Sequence, residues 1–139
     1  MLFKSLIFVV ALAAAGCNAA APVNAALIAE SNTPGEVVLR FDTLVQYRDL
    51  GLRWLKLEDS RCAIGLTCVW AGQMLAVVEV SREGDATVEI NLRTMVGREP
   101  EVSTAFGYEF RLVDVEPHPK NNVTISRSEQ QLKLMVSLP

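Results

Sequence analysis

From Glu36 onward, apolar and polar residues alternate with a period of two, the pattern of strands that bury one face. Val37, Leu39 and Phe41 alternate with Val38, Arg40 and Asp42, and Leu52, Trp54 and Lys56 alternate with Arg53, Leu55 and Leu57. Gln73 to Ser81 is apolar on both faces through Val77, Val78 and Val80, which predicts a central strand. The next run sets Ala86, Val88, Ile90 and Leu92 against Thr87, Glu89 and Asn91. Between these two runs, Arg82-Glu83-Gly84-Asp85 has the makings of a tight turn, because Gly84 takes positive φ without steric cost, so an antiparallel hairpin is expected. Tyr108, Phe110 and Leu112 mark a further strand, and Leu132, Leu134, Val136 and Leu138 close the chain. Weaker strand patterns lie at Leu44 to Tyr47 and Val123 to Ser126, while Thr94 to Phe106 reads as a long connection. No helical stripe with capping signals exceeds two turns. The expected fold is all-β, an antiparallel two-sheet β-sandwich over residues 36 to 139, with a small closed β-barrel as the alternative.

The N-terminus breaks this pattern. Met1 to Lys4 is a short basic segment, Leu6 to Ala15 is continuously apolar apart from small residues, and Gly16-Cys17 follows, which is the layout of an export signal. The apolar run falls short of the roughly 20 residues needed to cross a bilayer. The residues Ala14-Ala15-Gly16-Cys17 resemble the lipobox of bacterial lipoproteins, departing from it at Ala14, where leucine is usual. The resemblance implies a signal peptide over residues 1 to 16 and acylation of Cys17 as the first mature residue. With Asn18 in place of aspartate after the cysteine, it also implies the outer membrane facing the periplasm. The alternative is ordinary cleavage within Asn18 to Ala21 and a soluble periplasmic or secreted protein. Residues 17 to 35, small and polar with Pro22, Pro34 and Gly35, read as a tether with an r.m.s. reach of roughly 25 Å. As an alternative, Ala26 to Glu30 joins the sheet as an edge strand.

Removing the signal leaves about 123 residues, enough for one domain with one core. It also removes much of the positive mean hydropathy and Lys4, leaving 12 basic against 16 acidic residues and a net charge of −4. Mild acidity without a basic face excludes nucleic acid as an expected partner and argues against charge-driven binding to anionic lipid.

Of three cysteines, Cys17 is the candidate anchor, and Cys62 and Cys68 remain as a pair separated by five residues with Gly65 between them. In an exported protein this spacing points to a disulfide closing the loop between two strands. A redox site is disfavoured because the spacing is not Cys-x-x-Cys and no helix follows. A metal site would need two more ligands, and the single histidine, His118, lies far off between two prolines. No metal or other cofactor is expected. Beside the pair, Asp59 and Arg61 form a candidate recognition surface, or Asp59 caps the turn and Arg61 pairs with a carboxylate. Trp70 follows Cys68 by two residues and is expected to pack into the core or against the disulfide, with an exposed binding platform as the alternative. Gly72, just before the central strand, marks a bulge or a close backbone approach.

The run Glu58-Asp59-Ser60-Arg61-Cys62, then Cys68-Val69-Trp70-Ala71-Gly72, and later Gly107-Tyr108-Glu109-Phe110 and Pro117-His118-Pro119, resembles a group of poorly characterised exported bacterial lipoproteins and periplasmic proteins with an Asp-Ser-Arg-Cys…Cys-x-Trp-Ala-Gly motif. The chain departs from that group at Ala63, where proline is usual, and at His118, where an aromatic is commoner. The resemblance implies an exported location and no particular activity.

For a hydrolase, His118 would have to serve as base without a Gly-x-Ser-x-Gly elbow, and the acid pairs Glu58 and Asp59 or Glu99 and Glu101 are neighbours in sequence, as solvated charges often are. Nor is there a glycine-rich phosphate loop. The sequence therefore points to a non-catalytic envelope lipoprotein, a binding or accessory domain held to the membrane by its lipid. Its candidate binding loop, carrying Asp59, Arg61 and Trp70, would meet another envelope protein or a small ligand. A purely structural or stress-protective lipoprotein and a hydrolase are the alternatives.

Overall fold

The computed structural model describes Leu27–Ile28 and residues 35 to 139. The signal segment, Cys17 and most of the tether lie outside the described residues. Nine strands follow in order: β1 (Leu27–Ile28), β2 (Glu36–Arg40), β3 (Leu44–Tyr47), β4 (Leu50–Asp59), β5 (Gln73–Arg82), β6 (Val88–Met95), β7 (Ser103–Ala105), β8 (Tyr108–Glu116) and β9 (Gln131–Ser137). One sheet has the order β1-β3-β4-β5-β6 and the other β2-β9-β8-β7. All pairings are antiparallel except β1 with β3, where Leu27 lies beside Val45 and Ile28 beside Gln46. The chain is thus a two-sheet β-sandwich not closed into a barrel, and no α-helix occurs among the described residues.

Alternation produces the core directly. Val37, Leu39, Leu52, Trp54, Leu92, Phe110, Leu132 and Leu134 are wholly buried between the sheets. The β5–β6 hairpin forms as the pattern predicts, with Gly84 at φ +82° in its turn. Leu44–Tyr47 is a strand, and the long connection after Met95 contains the short β7. Val123 to Ser126 is not a strand: Val123 is exposed, and Ser126 caps the 3-10 turn Arg127–Glu129.

Two β-bulges correct the simple alternation. In β4 the register shifts between Trp54 and Lys56, so Lys56 turns outward instead of following Leu52 and Trp54 inward, and Leu57 packs against the core. The Trp54 indole N–H donates to the Lys56 carbonyl at 2.9 Å across the bulge, satisfying an acceptor there. In β8 the shift lies between Leu112 and Asp114; Val113 is exposed and Val115 buried.

Polar side chains tie the sheets together at both ends. At one end the Tyr108 hydroxyl donates to Asp49 Oδ1 at 2.7 Å, linking the β7–β8 turn to the β3–β4 turn. This bond holds the Asp49 carboxyl below the usual aspartate range and pushes the Tyr108 phenol above its own. At the other end lies the loop between β4 and β5.

Candidate functional site

The loop of residues 60 to 72 is built as an extension of the β4–β5 hairpin. Ser60 N donates to Gln73 O at 2.9 Å and Cys62 N to Ala71 O at 3.1 Å, so the two arms run side by side beyond the strands. Their closeness requires glycine at position 72: φ is +88°, and a Cβ there would stand 2.0 Å from Ser60 O. The expectation of a close approach at Gly72 is met, and the bulge lies elsewhere. Beyond this neck, Cys62 and Cys68 form a disulfide with their Cα atoms 5.9 Å apart.

Arg61 anchors the neck from inside. Its side chain is only 3% exposed. Nε and Nη2 donate to Asp59 Oδ1 and Oδ2 at 2.9 and 2.6 Å, Nη1 to Asp114 Oδ1 at 2.8 Å, and Nη2 also to the Val115 carbonyl at 2.7 Å. Asp59 Oδ1 further accepts the Arg61 backbone N–H at 3.1 Å, closing the turn. One guanidinium therefore joins β4 of the first sheet to the bulged part of β8 in the second. Of the two readings open for Asp59 and Arg61, the geometry matches the turn cap and the carboxylate pair; Arg61 is not a surface group.

The tip is held from the side by the turn after β8. Ile64 N donates to Pro119 O at 2.8 Å, Asn121 N to Ile64 O at 3.0 Å, and His118 Nε2 donates to the Cys62 carbonyl at 3.1 Å. The Asp59 to Cys62 run and the Pro117-His118-Pro119 turn, far apart in sequence, are thus in contact. His118 is engaged with the loop backbone, and Asp59 with Arg61.

What the loop presents outward is apolar. Ile64 and Leu66 are about half exposed, Val69 is fully exposed and Trp70 is 58% exposed. The expected packing of Trp70 into the core does not occur. That expectation needed an extended segment, whereas the chain bends at Val69 and Trp70, turning the indole to the surface. Ile64, Leu66 and Val69 were not singled out by the sequence pattern, although the absence of any charge from Cys62 to Gly72 was a usable signal. Beside the loop lies an open depression of about 550 Å³, lined among others by Ile64, Asp114, Glu116, His118 and Lys120. Among the described residues, no three His, Cys, Asp or Glu side chains are grouped so as to hold a metal ion, and no helix is long and apolar enough to cross a membrane.

Compared with known proteins, the chain matches no family model, no curated protein and no solved structure.

Proposed function

We propose that this protein is a lipid-anchored component of the bacterial envelope, attached through Cys17 to the outer membrane facing the periplasm, whose sandwich is a non-catalytic binding or accessory domain. The observation that carries the binding role is the cluster of four large exposed apolar side chains, Ile64, Leu66, Val69 and Trp70, on one clasped loop. Exposed apolar clusters mark contact surfaces, because leaving them in water is unfavourable. The disulfide, the Arg61 bonds and the contacts to the Pro117 to Asn121 turn fix the loop's shape before it meets anything, so little ordering entropy is lost on contact. A non-catalytic role is supported by the employment of the polar groups nearest the loop: His118 holds the Cys62 carbonyl and Asp59 holds Arg61. The export signal and the resemblance to exported lipoproteins support the same location.

Site-specific photo-cross-linking in intact envelopes tests the role. A photoreactive residue at Val69 is expected to give discrete adducts, and one at Glu83, in the turn at the opposite end of the sandwich, to give none. Adducts absent from both positions would favour a purely structural lipoprotein.

A further inference from the structure

We infer that the loop tip of Ile64, Leu66, Val69 and Trp70 seats in the headgroup–acyl boundary of the bilayer that carries the N-terminal lipid, a second contact that sets the orientation of the sandwich. The inference rests on the lipid-anchor reading of Cys17 and names the partner of the same loop.

Strand direction turns the start of β1 toward the loop's end of the sandwich. β1 runs parallel to β3, and β3 is antiparallel to β4, so the N-terminal end of β1 faces the end of the sheet at which β4 finishes and the loop begins. Leu27 pairs with Val45, which pairs with Leu52; from there seven residues of β4 lead to Asp59, about 23 Å at the rise of a strand. The ten steps from Cys17 to Leu27 span at most about 33–36 Å when extended. Fully extended, that length exceeds the distance to the neck of the loop by no more than about 10–13 Å. An anchor on so short a chain limits how far that end of the sandwich can lie from the membrane.

The loop is suited to that place in two independent respects, its lack of charge and its exposed tryptophan. No charged residue occurs from Cys62 to Gly72, so no ionised group has to be desolvated, and the charge of Arg61 is turned inward onto Asp59 and Asp114. Backbone bonds within the protein hold the neck and the Ile64 side of the loop: besides those already described, Leu66 N donates to Ala63 O at 3.1 Å and Gly72 O accepts Val96 N at 3.1 Å, so the tip is presented on a fixed base. Trp70, amphipathic and exposed, is the residue type that favours the membrane interface. The chain is acidic overall, so the contact is apolar insertion into zwitterionic lipid and not attraction to anionic headgroups.

Tryptophan fluorescence tests this, because of the two tryptophans Trp54 is wholly buried and Trp70 exposed. The full-length protein, purified from envelopes with its native modification, is mixed with phosphatidylcholine and phosphatidylethanolamine vesicles whose acyl chains are brominated near the headgroup. The expected result is quenching of the emission, abolished by Trp70→Phe and weakened by Val69→Asp, which leaves Trp70 in place. Acylated protein that floats with the vesicles while Trp70 stays unquenched overturns the loop contact and leaves the anchor standing. Protein without acyl mass that does not float overturns the anchor reading and the inference with it. Capture of a protein, with no lipid adduct, from Val69 in intact envelopes also overturns the lipid contact.

Discussion

Arg61 is a charge placed where water does not reach, and its four side-chain hydrogen bonds are what make that placement tolerable. Removing one partner of a buried ion pair leaves the other uncompensated, so Arg61→Ala is expected to destabilise the fold by about 3–5 kcal/mol in chemical denaturation. Arg61→Lys should recover little, since an ammonium cannot reproduce the planar fork that reaches Asp59, Asp114 and Val115 together. The residue types around Cys62 made the turn cap and a carboxylate partner legible. Asp114 as the second partner was not, because 53 residues separate it from Arg61 and only the sandwich brings them together. At the opposite end, Tyr108 and Asp49 couple stability to pH. The lowered Asp49 pKa gives a contribution present above the ordinary carboxylate range and lost as pH falls below about 4, through the lowered value. The raised Tyr108 pKa gives one present below about pH 10 and lost as pH rises through the raised value. Tyr108→Phe should flatten both limbs of the stability profile relative to the unaltered protein, as followed by urea unfolding across pH.

Among elements, strands with strict alternation were readable, and those carrying a bulge were readable only up to it. The run Leu52, Trp54, Lys56 keeps the period of two in sequence, so nothing local announces that Leu55 is an extra residue; the shift is set by pairing with β5. The short β7 was likewise hidden, since three residues with no large apolar side chain become a strand only by pairing with β8. The loop between β4 and β5 owes its shape to three devices: the disulfide, the glycine neck at Gly72 and the contacts to the turn after β8. Replacing both Cys62 and Cys68 with serine is expected to cost roughly 2–2.5 kcal/mol on loop-closure grounds, because the closed loop is short. Its larger effect is expected in the loop itself, as faster amide hydrogen exchange at Ile64 to Trp70 while the β5–β6 hairpin stays protected.

For the molecule as a whole, the topology separates two ends with different characters. One is closed by Tyr108 and Asp49 and carries the charged Arg82 to Asp85 turn. The other carries the loop, uncharged from Cys62 to Gly72, the Pro117 to Asn121 turn and the N-terminal end of β1. The sandwich class was legible from alternation alone, whereas the direction of β1 was not, because a two-residue strand has no period to read. The polarity of the whole molecule relative to a membrane depends on Cys17 being its attachment point. The most direct test is the intact mass of the protein isolated from native membranes, measured with and without reductant. The account predicts a chain beginning at an acylated Cys17, heavier by two hydrogens after reduction. A chain beginning within or after Asn18 to Ala21, without acyl mass, would contradict it.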